Sequence, residues 1–151
     1  MIPLMSFWPE VYDRILKKEK IFEYRRTFPK NCSHAYMYIS SPVKAICAII
    51  YYNEVIKLES LKGKYNIDLD KRIDSYSSKY QYSGTIKSIQ KIKPILLQDL
   101  RENIPNFTPP QSYLYIDNFP ILKEYIENNT IYDGGLITNN LSNIIPNQLC
   151  R

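Results

Sequence analysis

The sequence predicts an α+β fold built on a mixed, partly closed β-sheet. Short segments with strand patterns follow one another without regular helices between them, which argues against a doubly wound parallel sheet. Residues 43–52 are apolar on both faces apart from Lys44, as expected of a central strand covered on both sides. The chain has 151 residues, 44% of them hydrophobic and 23% charged, which is typical of one globular domain.

The individual elements follow from hydrophobic periodicity and boundary signals. We expect helices over residues 9–18, 56–62, 69–80, 96–103 and 119–128. Pro9 suits the first turn of the first helix, and Asp68 is placed to cap the third. We expect strands over residues 21–25, 35–39, 43–52, 85–93 and 113–116. Pro94 either ends the fourth of these strands or places it at a sheet edge, because proline cannot donate a ladder hydrogen bond.

The chain divides into one domain, residues 1–128, and a C-terminal extension, residues 129–151. The extension contains five asparagines and an Asp-Gly-Gly turn at residues 133–135. It also keeps seven apolar side chains, Ile131, Leu136, Ile137, Leu141, Ile144, Ile145 and Leu149. This segment is too apolar for a free linker, so we expect it to pack on the domain or on a protein partner.

Several common kinds of site are excluded by composition. The four glycines form neither GxGxxG nor GxxxxGK[ST], the loops that bind dinucleotides and nucleoside triphosphates. The single histidine, His34, rules out any triad or zinc cluster that needs several histidines. Cys32 and His34 are not followed by a second pair of metal ligands at a useful spacing. We therefore expect neither a metal nor a cofactor.

The sequence favours a cytoplasmic protein. Its three cysteines form no CxxC motif, and an odd number suits a reducing compartment better than a disulfide framework. The longest apolar run, residues 45–52, is too short to span a membrane. Residues 1–9 lack a cationic segment and are interrupted by two prolines, so we expect no signal peptide and no membrane association.

Positive charge is concentrated near the start of the chain. Residues 1–44 hold eight basic and four acidic side chains, and thus four of the five net positive charges. A local basic field attracts phosphates, and fourteen tyrosines, five phenylalanines and one tryptophan offer surfaces on which bases stack. The composition is consistent with nucleic-acid binding, although a solvated helix face and a biased codon composition explain it equally well.

The densest cluster of charged and aromatic residues is the run from Lys18 to Arg26. Glu23 and Arg25 are two apart on a predicted strand, so they face the same way and can form an ion pair. A carboxylate can accept from a base's exocyclic amine, and the cations can meet phosphate. A partly desolvated Lys20 could instead act as a nucleophile or a base, unless Glu23 pairs with it and keeps it protonated. A purely structural ion-pair network is the alternative.

The same run resembles a known family signature. SFWPEVYDRILKKEKIFEYRR, residues 6–26, resembles the N-terminal motif of the ASCH domain family, Gly-x-Lys-x-x-Glu-x-Arg after a short helix. Lys20, Glu23 and Arg25 fill the charged positions, and Lys18 replaces the glycine at a helix end that favours a left-handed backbone. Residues 38–45 and the Pro-Gln-Ser-Tyr segment at 110–113 also resemble the family, so that the resemblance covers residues 4–126.

The resemblance implies a PUA-like fold, a mixed β-barrel core with helices around a cleft. Family members are associated with RNA or nucleotide binding, and a few are enzymes. One branch is an amidohydrolase on acetylated cytidine, with a lysine, a threonine three residues later and a glutamate from a later strand. Here Lys20 matches the lysine, Glu23 replaces the threonine, and Glu54 is the counterpart of the later glutamate. These three residues would be catalytic only if the protein is an enzyme.

We expect an RNA- or modified-nucleotide-binding domain. The candidate ligand-binding residues are Ser6, Trp8, Lys20, Glu23, Arg25, Arg26, Ser40, Ser41, Gln111 and Ser112. Trp8 is either a stacking platform or a core anchor, and the serines beside prolines could simply form turns. The alternatives are a hydrolase, amidohydrolase or nuclease, acting on such a ligand, and a protein-interaction module that recruits a partner through the extension.

Overall fold

A computed structural model describes residues 1–151. The strands are β1 (Pro3–Phe7), β2 (Phe22–Arg25), β3 (His34–Ile39), β4 (Ala45–Lys57), β5 (Tyr82–Leu96), β6 (Tyr113–Tyr115) and β7 (Ile137–Thr138). The helices are α1 (Pro9–Leu16), α2 (Ile67–Ser77), α3 (Leu97–Asn103), α4 (Pro120–Asn129) and α5 (Ile144–Asn147). Two 3₁₀ turns cover Leu58–Leu61 and Ile116–Asn118.

All seven strands belong to one mixed sheet. Its order is β2-β5-β4-β3-β1-β6, and β7 pairs with β5 beside this path. β1 and β3 run parallel, and the other pairs are antiparallel. The sheet curls until its two outer strands approach each other, so that Arg25 at the end of β2 donates a hydrogen bond to the carbonyl of Ser112 just before β6. The predicted α+β fold with a partly closed mixed sheet is therefore confirmed.

Alternation along the strands supplies both faces of this sheet with apolar side chains. On β3, Met37 enters a cluster that also holds Met5 and Ile50, while its neighbour Tyr38 enters a second cluster on the other face, with Leu100. A third cluster lies between β2, α2 and the C-terminal extension. The candidate site is built where this third cluster meets the first.

Two strands differ from the sequence prediction. No residue range was predicted for β1, which lies between β3 and β6 in the sheet. Its parallel pairing with β3 makes the sheet mixed. β5 runs through Pro94 to Leu96, so the expectation that Pro94 ends this strand is wrong. Residues 92–94 lie in a register shift between the pairs Ile46–Ile95 and Ala48–Lys91, and such a bulge accommodates a residue that cannot donate to the ladder.

The helix ends show how local signals act. α2 begins after Asn66, whose side chain accepts from the Leu69 N–H at 2.8 Å, so Asp68 is not the cap. The helix predicted over 56–62 is reduced to the 3₁₀ turn, because β4 continues to Lys57. Lys18 has φ +62°, which confirms the left-handed conformation expected at the family's glycine position.

The extension lies on the domain. β7 pairs with β5, and Ile144, Leu149 and Cys150 are buried in the third cluster beside Leu69. The three cysteines are free and buried. None of the helices has both the length and the apolar character that crossing a membrane requires.

Candidate functional site

A small cavity of about 350 Å³ opens beside the connection between α1 and β2, where the two edges of the sheet meet. Seven of the residues that line it come from the predicted set: Ser6, Trp8, Lys20, Glu23, Arg25, Gln111 and Ser112. Phe7, Val11, Tyr24 and Tyr80 complete the lining. The walls thus combine aromatic and aliphatic surface with a few polar groups, as is typical of small-ligand sites.

Arg25 closes one side of this cavity and is held on several sides. Its Nη2 donates to the carbonyl of Ser6 at 2.6 Å, and its Nη1 donates to the carbonyl of Ser112 at 3.2 Å and to that residue's hydroxyl at 3.4 Å. Its Nε lies 3.4 Å from Oε1 of Glu23, and the guanidinium covers the ring of Phe7 at 4.9 Å. Since most of its donors are engaged, Arg25 fixes Glu23 and the sheet edges rather than reaching for a ligand.

Glu23 is the buried acid of the site. Only 6% of its surface is exposed, and its Oε2 is buried without any hydrogen-bond partner. The predicted ion pair with Arg25 is confirmed, but it engages Oε1 alone. A buried polar atom without a partner is unfavourable for stability and needs a specific explanation. A ligand that donates to Glu23 supplies one.

The floor beneath Glu23 depends on a glycine. Gly84 on β5 lies opposite Glu23, and a Cβ at this position would come within 2.6 Å of Cζ of Phe28 and 2.9 Å of the Tyr52 ring. Those two rings pack edge to face, with centroids 5.1 Å apart. Burial, reinforced by the charge of Glu23, raises the pKa of Tyr52 well above its usual value, so the phenol stays neutral.

Lys20 stands between α1 and β2 with its Nζ 4.9 Å from the centroid of the Tyr24 ring. Burial lowers the pKa of Lys20; the charge of Glu23 opposes this shift, while the charges of Arg14 and Arg25 add to it. Lys20 and Glu23 do not form an ion pair. The expected pairing of Lys20 with Glu23 is therefore absent, although the charge of Glu23 still opposes the effect of burial on the pKa of Lys20.

A larger cavity of about 730 Å³ adjoins the small one and shares Val11, Lys20, Tyr24 and Tyr80 with it. Its other charged residues are Arg14, Glu19, Lys79 and Arg151. The Tyr24 ring packs edge to face on Tyr76, with centroids 4.8 Å apart. The two cavities form one groove that is acidic at one buried point and basic along its length. No three His, Cys, Asp or Glu side chains lie close enough together to hold a metal ion.

Comparison with known proteins finds one similar sequence and several structures of the same fold. No family model matches the sequence. The chain is 29% identical over 128 residues to a protein of Zymomonas mobilis subsp. mobilis named ASCH domain-containing ribonuclease, covering 75% of this chain and 82% of that protein. The crystal structure of ASCH from Zymomonas mobilis superposes with a TM-score of 0.61 at 22% identity, covering 85% of this chain and 96% of that one. The structure of a single-residue mutant of that protein gives a TM-score of 0.62 at the same identity, covering 85% and 95%.

The chain thus resembles an ASCH-domain protein in sequence and shares the fold of an ASCH structure. In this fold, the motif Lys20, Glu23 and Arg25 meets the Pro-Gln-Ser-Tyr segment through Gln111 and Ser112, although about ninety residues separate them along the chain. Two stretches that carried the resemblance therefore form opposite walls of one cavity. Trp8 is 71% exposed at its rim, so it is not a core anchor.

Four predicted residues lie outside the groove. Arg26 is exposed beyond the end of β2 and lines neither cavity, since its side chain follows Arg25 onto the other face of the chain. Ser40 and Ser41 form the turn after β3, where the Ser40 carbonyl accepts from the N–H of Val43 at 3.1 Å. Glu54 is exposed on β4 opposite Thr85, so it cannot supply the later glutamate of the amidohydrolase pattern.

Sequence reasoning missed the cations of the larger cavity. Arg14, Lys79 and Arg151 line it, with the neutral Gln148, and none of them is among the predicted site residues. Arg14 lies six residues before Lys20, and its place beside the motif was a usable signal. Arg151 offered none, because its position depends on how the extension folds back onto α2.

Proposed function

We propose that this domain binds single-stranded RNA or a modified nucleotide, with one base in the small cavity and the sugar-phosphate backbone along the larger one. The observation that carries the proposal is Glu23, a buried carboxylate whose Oε2 has no partner and whose side chain lines an open cavity. The name of the Zymomonas relative, a ribonuclease, points to the same class of ligand.

The small cavity suits a nucleobase. A carboxylate only accepts hydrogen bonds, so Glu23 pairs with the amino and imino N–H groups of a base and not with its carbonyl oxygens. Trp8 at the rim and Tyr80 in the wall offer flat surfaces on which a base stacks. The hydroxyl and amide groups of Ser112 and Gln111 provide further donors and acceptors.

The proposal is tested by titrating a short fluorescent single-stranded RNA with the wild-type protein and its variants. We expect Lys20→Ala and Glu23→Ala to weaken binding by about tenfold or more, since each removes a group that faces the ligand in a low-dielectric site. Lys71→Ala and Glu127→Ala serve as matched controls, because both side chains are exposed and line neither cavity. Equal affinities for all five proteins would contradict the proposal.

Cleavage of RNA is the second candidate, and the state of Lys20 favours it. Burial lowers the pKa of this amine, which makes its neutral, basic form more accessible. In such a reaction, neutral Lys20 takes the proton of a ribose 2′-hydroxyl, the 2′-oxygen attacks the adjacent phosphorus, and the bond to the 5′-oxygen of the next nucleotide breaks as that oxygen takes a proton from water. The products are a 2′,3′-cyclic phosphate and a free 5′-hydroxyl.

A cleavage assay under excess enzyme separates the two candidates. If the domain is a ribonuclease, the wild type cleaves RNA, Lys20→Ala does not, and a DNA strand of the same sequence survives because it lacks the 2′-hydroxyl. If RNA stays intact while it binds, the binding function stands alone.

A further inference from the structure

The last eight residues of the chain, the C-terminal segment Ile144–Arg151, form one wall of the larger cavity. Ile144, Leu149 and Cys150 are buried in the third cluster, and Gln148 and Arg151 face the groove. This segment lies beyond residues 4–126, the stretch that resembles the family. Any role it plays in binding is therefore not implied by that resemblance.

Polar contacts hold the C-terminal segment in place. Arg72 of α2 donates through Nε to the carbonyl of Leu149 at 3.2 Å and through Nη2 to the carbonyl of Pro146. The hydroxyl of Tyr76 donates to the carbonyl of Arg151 at 3.0 Å. Because these contacts come from a helix with a buried face, the wall is part of the folded domain.

The segment also reaches the shared wall of the two cavities. The N–H of Cys150 donates to the hydroxyl of Tyr24 at 2.7 Å. Lys20 rests over the ring of the same tyrosine, so the segment fixes the surface on which the Lys20 ammonium lies. Movement of the segment would therefore be transmitted to the small cavity through Tyr24, which lines both cavities.

The charges that face the larger cavity favour an anion. Arg14, Lys79 and Arg151 line it together with Lys20, and Glu19 is the acid that opposes them. Arg151 has one ionic contact, its Nη2 lying 3.8 Å from Oδ2 of Asp68, a carboxylate that also pairs with Arg72. A contact this long between exposed groups is weak, and although Nε donates to the carbonyl of Asn147, the remaining donors of the guanidinium are free.

We propose that the C-terminal segment completes a second subsite, which binds the phosphodiester next to the nucleotide whose base occupies the small cavity. Arg151 and Lys79 contact this phosphate from the segment and from the end of α2, opposite Arg14 on α1. The proposal rests on the proposed RNA binding. It adds how the RNA backbone is placed: the base of one nucleotide lies in the small cavity, and the phosphate next to that nucleotide lies in the larger one. The segment thereby lengthens the binding site beyond the motif.

The test compares two probes, the nucleoside cytidine, which has no phosphate, and a short single-stranded RNA. Arg151→Ala and Lys79→Ala are the variants, with Arg101→Ala and Lys71→Ala as matched controls on exposed positions outside the groove. We expect each variant to weaken RNA binding by about threefold to fivefold at low salt, as exposed ion pairs do. The slope of log affinity against log salt becomes shallower by about 0.7 for each phosphate contact removed. Binding of the nucleoside stays unchanged.

The outcomes separate this proposal from the function on which it rests. If neither the wild type nor Lys20→Ala binds RNA, RNA binding itself is wrong, and if both bind it equally well, the groove is not the RNA-binding site. If RNA binding depends on Lys20 while Arg151→Ala and Lys79→Ala match their controls in affinity and salt slope, the second subsite is wrong. If both variants weaken the nucleoside as strongly as RNA, they act on the fold or on Tyr24, and a phosphate subsite is again excluded.

Discussion

The two cavities of the groove are built on different principles. The small cavity is built around charged residues that lie close together in a sequence motif, and its chemistry is set by buried groups in fixed contact: Arg25 holds Glu23, and Gly84 makes room beneath it. The larger cavity is formed by surface cations from distant segments, with Arg14 on α1 and Arg151 in the extension. The small cavity depends on precise packing and the larger one on the sum of exposed charges. Substitutions of the packed residues of the small cavity should therefore lower the stability of the fold, whereas loss of a cation from the larger cavity should leave stability nearly unchanged.

The largest effect is expected for Arg25→Ala, and it is an effect on stability. The change removes the hydrogen bonds to Ser6 and Ser112 and leaves Oε1 of Glu23 buried without its partner. Breaking a buried pair in this way costs about 3–5 kcal/mol of the free energy of unfolding. Urea unfolding followed by circular dichroism measures it.

Two matched substitutions sharpen that result. Arg151→Ala removes the same charge from the larger cavity and should change the free energy of unfolding by about 0.5 kcal/mol or less. The double variant Arg25→Ala, Glu23→Gln should recover part of the lost stability, since it no longer buries an unpaired charge. Equal losses for Arg25→Ala and Arg151→Ala would remove the distinction between the cavities.

Gly84→Ala tests the packing beneath Glu23. Its new Cβ would lie 2.6 Å from Cζ of Phe28, so the rings of Phe28 and Tyr52 must move. Overpacking of this kind costs about 1–3 kcal/mol. Gly135→Ala is the control, because nothing lies within 4 Å of a Cβ there. A Gly84→Ala protein as stable as the control would show that the floor adapts freely.

Glu23→Gln tests the chemistry of the small cavity in oligonucleotides that differ in one base. The wild type should prefer cytosine, which donates through its exocyclic amine, over uracil, which presents a carbonyl oxygen at that position. Glutamine both donates and accepts, so the preference should fall by about tenfold, within the range of a single base contact. If the preference survives in Glu23→Gln, the carboxylate does not read the base.

The smallest effect concerns Lys20 and pH. Since burial lowers the pKa of Lys20 in the folded state, the unfolded chain binds more protons between the folded and the ordinary pKa, and stability rises with pH across that window. Lys20→Met should therefore be more stable than the wild type at neutral pH, and its advantage should shrink as pH rises towards the ordinary lysine pKa. Unfolding curves at several alkaline pH values measure this; an advantage independent of pH would mean that packing alone causes it.

Much of the small cavity could be predicted from the sequence because its determinants are local. The period of two along a strand places Glu23 and Arg25 on one face, and their ion pair follows. The helix end at Lys18 takes the left-handed backbone that the resemblance to the family motif implied. The Pro-Gln-Ser-Tyr segment was recognised as part of the same resemblance, although its contact with Arg25 was not foreseen.

The sequence by itself determined the α+β class, the placing of the charged motif between a helix and a strand, and the presence of a cation and a carboxylate at one site. Only the tertiary structure decided which of these groups are engaged within the protein and which remain available to a ligand. Arg25 is engaged because the curl of the sheet brings Ser6 and Ser112 to it, and Oε2 of Glu23 is unpartnered because no donor reaches it. Arg151 enters the groove because Ile144 and Leu149 are buried against α2. Desolvation and long-range contacts depend on the whole fold, and no local pattern encodes them.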